Sequence, residues 1–291
     1  MKKVFSVLLL IIIGAIFYSF GIAVYENAKV DKMINEFKSQ GVLNEEKSTD
    51  KRKYYEVESK IELDETTYIE YNGEFFMGNI GDILVTRESP FPELIGIHQF
   101  VSYNFGGHAA MVIGENELME IAGFPAKGEN ILQYVFHKIE YDEEGNSNHN
   151  FEGAVLHTAS NYFIRKYSNG TYYRNKSIGL RVKSTAAERR MAVDHINELK
   201  RKNVIYNYMF WLDTKEKYYC TDLMSRSYQS ILDENGKSKY TLNDDGFITS
   251  VNDLILSKDT MISTYFEVDK NGIEHVYYLV NKKWGCKEMK N

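Results

Sequence analysis

Cys220 and Cys286 are the only two thiols in the 291-residue chain. Two are too few for a disulfide scaffold or a four-cysteine zinc site. Cys220 lies in Lys217-Tyr218-Tyr219-Cys220-Thr221-Asp222-Leu223, directly before a segment, TDLMSRSYQSIL, that reads as a helix with Leu223, Met224, Ser227, Tyr228 and Ile231 on one face. A thiol at that point faces unpaired backbone N–H groups and the positive end of the helix dipole, which favours the thiolate. The competing readings are a buried small hydrophobe, or half of a disulfide with Cys286. The latter would leave a catalytically silent binding domain.

A nucleophilic thiol needs a base, and the chain has seven histidines. His149 sits in a polar loop and His195 on a helix, so both read as surface residues. His137, His157 and His275 have no partner pattern, and His98, in Gly96-Ile97-His98-Gln99-Phe100, is a lesser candidate. His108 differs: it follows Gly106-Gly107 and opens an apolar strand, Ala109-Ala110-Met111-Val112-Ile113-Gly114, which places it at the rim of a rigid sheet. The strand returns as Glu117-Leu118-Met119-Glu120-Ile121. With an odd, three-residue loop, Glu120 opposes Ala110 and shares a face with His108, roughly 7–8 Å away diagonally. Its carboxylate can then accept the imidazole N–H and fix the tautomer. A two-residue loop puts Glu120 on the opposite face. As an ordinary solvent-facing residue, Glu120 would have no such part.

No cofactor or metal is expected. There is no H-E-x-x-H and no C-x-x-C, and no Lys-Ser/Thr follows Gly106-Gly107 to make a phosphate loop. Net charge is −6 and pI about 5.7, which argues against nucleic acid as a partner.

The elements that must position these groups read as α+β, mostly antiparallel strands with a few helices. Strand-like segments occur at TTYIEY, GDILVT, HAAMVIG, ELMEIAG and GLRVK. Ser184 to Asn203 reads as a helix opened by a Thr185/Glu188 capping box, with Ala192, Ile196 and Leu199 as its seam. Residues 264–280 read as a hairpin turning at Asn271-Gly272.

Ahead of these, residues 4–24 carry no charge. At 1.5 Å per residue, that run reaches about 30 Å, the hydrocarbon thickness of a bilayer. Its length and its poor A-x-A match favour an uncleaved signal anchor (1–25) over a cleaved signal peptide or a core helix. Lys2 and Lys3 favour a cytoplasmic amino terminus, with the remainder outside. Residues 26–60 hold eight acidic and eight basic side chains. Val30, Met33, Ile34 and Phe37 allow a short amphipathic helix, and the rest reads as a solvated tether to one domain over 61–291.

Asp82 in Gly81-Asp82-Ile83-Leu84, the Gly107-His108-Ala109-Ala110-Met111-Val112 strand, Glu120, Tyr206-Asn207-Tyr208 and Tyr219-Cys220-Thr221-Asp222-Leu223 follow one another in a known order. In this order the chain resembles the YiiX/YebB-like group of circularly permuted NlpC-type, papain-fold cysteine hydrolases, over roughly residues 80–232. Val251-Asn252-Asp253-Leu254-Ile255-Leu256-Ser257 is similar to a later P-x-D-L-x-S segment, with Val in place of Pro. Gly107 stands where Ser is commoner, and Asp222 where Glu is. The resemblance implies a permuted papain-like domain with Cys220 as nucleophile, His108 as base and Glu120 orienting it. Tyr206 or Tyr219 would lie near the oxyanion or substrate carbonyl, and backbone N–H groups from Thr221 onward would stabilise the oxyanion. The implied activity is hydrolysis of an amide or peptide bond, such as one in a cell-wall peptide; acyl transfer or hydrolysis on a lipid is the alternative on this fold.

Overall fold

A computed structural model describes the chain except residues 1, 72, 89–102, 105, 122, 124–127, 145–146, 150, 152–153, 160–174, 211–215, 244–247 and 282–291. It is a mixed α+β structure around a nine-stranded sheet. The strands in chain order are β1 (Val42–Leu43), β2 (Arg52–Glu58), β5 (Ile83–Thr86), β6 (His108–Gly114), β7 (Glu117–Ile121), β8 (Val155–Ala159), β9 (Lys176–Val182), β12 (Thr260–Val268) and β13 (Glu274–Val280). Two short pairs stand apart, β3 (Glu70–Tyr71) with β4 (Glu74–Phe75), and β10 (Ile205–Tyr206) with β11 (Lys217–Tyr218). The spatial order of the main sheet is β1-β2-β13-β12-β9-β5-β6-β7-β8, antiparallel throughout except at β13–β2.

Among the described residues, five helices accompany the strands: α1 (Lys2–Ser39), α2 (Ile131–Phe136), α3 (Ala186–Arg201), α4 (Cys220–Gln229) and α5 (Val251–Leu256). Local chemistry explains where they start. Thr185, Asn130 and Ser250 each cap a helix reciprocally with the residue three positions on. Helix α4 starts differently, since its N-cap, Tyr219, supplies no side-chain bond. Alternation along β5–β7 then divides the core. Ile83, Val85, Ala109, Met111, Met119 and Ile121 join the helices in one cluster, while Leu84, Ala110, Val112 and Leu118 join a second with Phe76 and Met77.

The expected tether over 26–60 is corrected by the structure. Ala23, Asn27, Val30, Ile34 and Phe37 are buried at helical spacing, so the second half of α1 is part of the folded body. It packs against α5 and β12. Beyond it, Tyr54 and Val57 are buried and β2 pairs in parallel with β13. Of the charges that suggested solvation, Lys29, Asp31, Lys32 and Glu36 are exposed on the helix and Glu45, Glu46, Lys47, Asp50 and Lys51 on the β1–β2 loop, while Lys38 and Arg52 pair with Glu267 and Glu274 of the body; the periodic apolar residues between them set the packing. The boundary placed at residue 61 therefore falls inside the body. Of TTYIEY, only Glu70–Tyr71 is strand.

In α1, the most apolar 18-residue window has a mean hydropathy of 2.0 and is almost wholly exposed. The helix is long and apolar enough to cross a membrane.

Candidate active site

Two glycines bring the chain to His108. Gly106 has φ +79°, and a Cβ there would stand 2.5 Å from the Val251 Cβ. At Gly107 a Cβ would fall 1.6 Å from the Glu88 carbonyl oxygen. That contact gives the physical reason for glycine where the resembled pattern has serine: the backbone passes too close for any side chain. Thr86 pairs with His108, which fixes the start of β6 against β5.

Glu120 reaches the same face by a route the expected loop did not include. The β6–β7 connection is a two-residue turn, with Gly114 opposite Glu117 and Asn116 at φ 58°. The register then shifts between Val112 and Gly114, leaving Ile113 as an unpaired bulge. Beyond it Val112 faces Leu118 and Ala110 faces Glu120. The bulge thus restores the register that a plain two-residue turn would have lost. The Glu120 Oε2 accepts from His108 Nε2 at 2.5 Å, with side-chain exposures of 6% and 13%.

Cys220 is the first residue of α4 and is a free thiol. Its thiol lies close enough to the His108 ring for each group to shift the other's protonation. Burial alone would raise the Cys220 pKa. The hydrogen bond and positive charge of His108, with the N–H groups of Ala109 and Thr221, outweigh it and hold the thiol below its ordinary value. Burial likewise works against a charged imidazole, yet Cys220 and Glu120 together push His108 up to about 9. The two shifts agree in direction and describe one thiolate–imidazolium pair. Ala109 lies one residue beyond the last ladder pair of β6 with β7, so its N–H is available to the sulfur.

The helix carrying the thiol is held from several sides. Leu223, Met224, Ser227 and Tyr228 are buried, and the Tyr228 hydroxyl donates to Gly81 O at 2.7 Å. Thr249, which the sequence reading missed, ties down both neighbours of Cys220. Its N–H donates to the Tyr219 hydroxyl at 2.7 Å, and its carbonyl accepts from the Thr221 hydroxyl at 2.5 Å. Those two hydroxyls are therefore engaged in holding the loop before α5. Only the threonine's place in an unremarkable loop is visible in the sequence, so no signal could have found it.

Tyr206 is close enough to Cys220 to feel its charge. Burial, then that charge, raises its phenol well above the usual range, so the hydroxyl stays protonated beside the sulfur. Its ring packs over Gly123, where a Cβ would lie 2.8 Å from it. Tyr208 and Phe210 extend the aromatic wall at 4.9 and 6.0 Å from Tyr206, and Phe210 lies 5.4 Å from Tyr219.

Asp82 belongs to the frame. It is fully buried, accepts from Arg181 Nε and Nη2 at 2.9 and 2.8 Å, and takes the Asn79 N–H at 2.9 Å. Other described histidines are engaged elsewhere. His149 and His137 pack edge-on at 5.7 Å, and His275 stacks on Tyr55. His98 and Cys286 lie outside the described residues, and with them any pairing of Cys286. Among the described residues, no group of three or more His, Cys, Asp or Glu side chains could hold a metal ion.

The arrangement is a buried carboxylate, an imidazole and a thiolate in a row, at the amino end of a helix. That is the equipment of nucleophilic acyl chemistry. No family model, curated protein or solved structure matches the chain.

Proposed function

We propose that this protein is a membrane-anchored cysteine hydrolase that cleaves an amide bond through Cys220, His108 and Glu120. The observation that carries this reading is His108, bonded through Nε2 to the buried Glu120 and neighbouring the free Cys220 thiol at the start of α4. The order His before Cys, and a thiol-bearing helix packed beside the histidine strand, favour the permuted papain-like arrangement. The apolar half of α1 serves as the anchor, with the amino terminus in the cytoplasm and the domain outside.

In the mechanism, the Cys220 thiolate attacks the carbonyl carbon and forms a tetrahedral oxyanion. Backbone N–H groups at the start of α4 and the protonated Tyr206 hydroxyl would serve as its donors. Collapse breaks the C–N bond while His108 gives its proton to the departing amine, leaving a thioester. Neutral His108 then takes a proton from water as the water attacks the thioester. The acid product leaves, and the thiolate–imidazolium pair is restored. Glu120 holds the ring in the tautomer that both proton transfers require.

The test is alkylation of the full-length protein by iodoacetamide, read by peptide mass. A single fast site at Cys220, slowed roughly 100-fold in His108→Ala at neutral pH, is expected. Equal rates at Cys220 with and without His108 would overturn the assignment.

A further inference from the structure

We propose that the flank of the domain formed by β7, β8 and α2, beside Cys220, is seated in the bilayer interface. The amide cleaved then belongs to a membrane-resident amphiphile whose carbonyl lies at headgroup level. This rests on the anchored-hydrolase reading above and adds its substrate class.

The first observation is where α1 attaches. Asn27 donates to Tyr103 O at 2.8 Å and accepts from Arg87, which follows β5 and also pairs with Asp31 at 2.5 Å. At the other end Lys38 pairs with Glu267 on β12, and Gly41 abuts Tyr277 of β13 and Tyr55 of β2. The helix therefore crosses the strands. From Asn27 to Ser39 it advances about 18 Å at 1.5 Å per residue. Four strand spacings, from β5 to β2, come to about 19 Å. Continued toward its amino end, the same direction leads to the β6–β8 side, whose three strand spacings come to about 14 Å. Within that distance α1 is already in its apolar run, which ends at Val24. The β6–β8 side therefore faces the bilayer, and the β1–β2 edge points away.

The second observation is what that side exposes. Helix α2 lies in the connection between β7 and β8, and it turns Leu132 and Phe136 outward, 65% and 81% exposed. Ile131 beside them is also exposed. Phe210 is 42% exposed and has φ 52°, a conformation costly for a bulky residue, held where its ring touches the Tyr206 and Tyr219 rings. Apolar side chains this exposed on a short helix fit the acyl–headgroup boundary.

The third observation links this flank to the thiol. Lys217 donates to the Tyr134 and Val135 carbonyls of α2 at 2.6 and 3.0 Å, three residues before Cys220. Tyr134 meets Tyr208, and Tyr208 meets Tyr206. Tyr103, bonded to Asn27, is five residues before His108, a separation of at most about 18 Å. Anchor, exposed apolar helix and thiol thus share one side of the molecule, and the wall beside the sulfur is aromatic.

The test uses the full chain in vesicles of phosphatidylcholine and phosphatidylglycerol carrying a nitroxide on the choline headgroup. In a Cys220→Ser, Cys286→Ser background, bimane is attached at Phe136→Cys, or at Glu46→Cys on the far edge. Quenching about three-fold stronger at 136 than at 46 is expected. Membrane-bound protein with equal quenching at the two sites overturns this proposal alone, whereas protein left in the supernatant overturns the anchor as well. With Cys220 restored and Cys286→Ser kept, N-dodecylmaleimide and a sulfonated maleimide are compared in unlabelled vesicles. Leu132→Glu with Phe136→Glu should slow labelling by the dodecyl reagent about ten-fold and leave the sulfonated one unchanged. An unchanged ratio overturns the substrate class.

Discussion

His108 Nε2 and Glu120 Oε2 stand 2.5 Å apart because one bulged residue, Ile113, lies between a two-residue turn and the rest of the β6–β7 ladder. With the bulge, Glu120 faces Ala110 and shares a face with His108; an unbulged two-residue turn would place it opposite Met111. The catalytic proposal therefore rests on a local irregularity of the hairpin.

The carboxylate is expected to act through the ring. Glu120→Gln keeps a hydrogen-bond acceptor but removes a charge that raises His108. The imidazolium should then lose its proton well below the value near 9, and the pH range over which Cys220 exists as thiolate paired with imidazolium should narrow from the alkaline side. Imidazole NMR titration of the full chain in detergent checks this. An unmoved His108 titration would remove Glu120 from the site.

The same pair has a definite stability signature. His108, raised to about 9 from an ordinary value of about 6.5, contributes stability that is full below about pH 6.5 and is lost as pH rises toward 9. Cys220, held below its ordinary value, contributes the opposite: stability that is full above the ordinary thiol value and is lost as pH falls. Where both titrate, the two slopes oppose each other. Cys220→Ala removes the thiol's share, so its urea midpoint should fall more steeply than that of wild type as pH rises from about 6.5 to 9. Equal slopes in the two proteins would mean that the folded thiol is not held below its ordinary value.

Gly107→Ser is expected to be harmful even though serine is the commoner residue in the resembled pattern. A Cβ there meets the Glu88 carbonyl oxygen at 1.6 Å, so the backbone must move. The cost should be about 1–3 kcal/mol, with slower Cys220 alkylation because His108 is the next residue. A serine variant with wild-type melting and reactivity would show that the turn before β6 yields freely.

Asp82→Asn should destabilise without a specific effect on the thiol. Arg181 is 1% exposed and its guanidinium is satisfied by Asp82 and Asn79. Removing the carboxylate leaves a buried charge unpaired, at a cost of about 3–5 kcal/mol by chemical denaturation. A loss of reactivity at unchanged stability would move Asp82 from frame to site.

The amino-terminal segment should be retained. Cleavage near residues 24–28 would remove Ala23 from the core and free or sever Asn27, with its bonds to Tyr103, Arg87 and Asn252. The intact mass of membrane-extracted protein should therefore include α1, and Asn27→Ala should lower the melting temperature. A mature chain beginning after residue 28 would return α1 to a cleaved signal.

Much of this protein is determined locally, and local order can be read from sequence. The apolar run of 4–24, the Thr185/Glu188 box, the hairpin at Asn271-Gly272 and the position of Cys220 at the start of a helix depend on residues a few places apart. The structure carries each of them. What only the tertiary structure decided depends on residues far apart or on a register. The Ile113 bulge is set by how β7 fits between β6 and β8. Thr249 becomes important only because α5 comes to lie beside α4. The charged stretch after the anchor joins the body because its few apolar residues meet β12, α5 and β13, partners more than 200 residues away. Composition suggested a solvated tether there, since charge count is a local average and burial is decided by which face finds a partner.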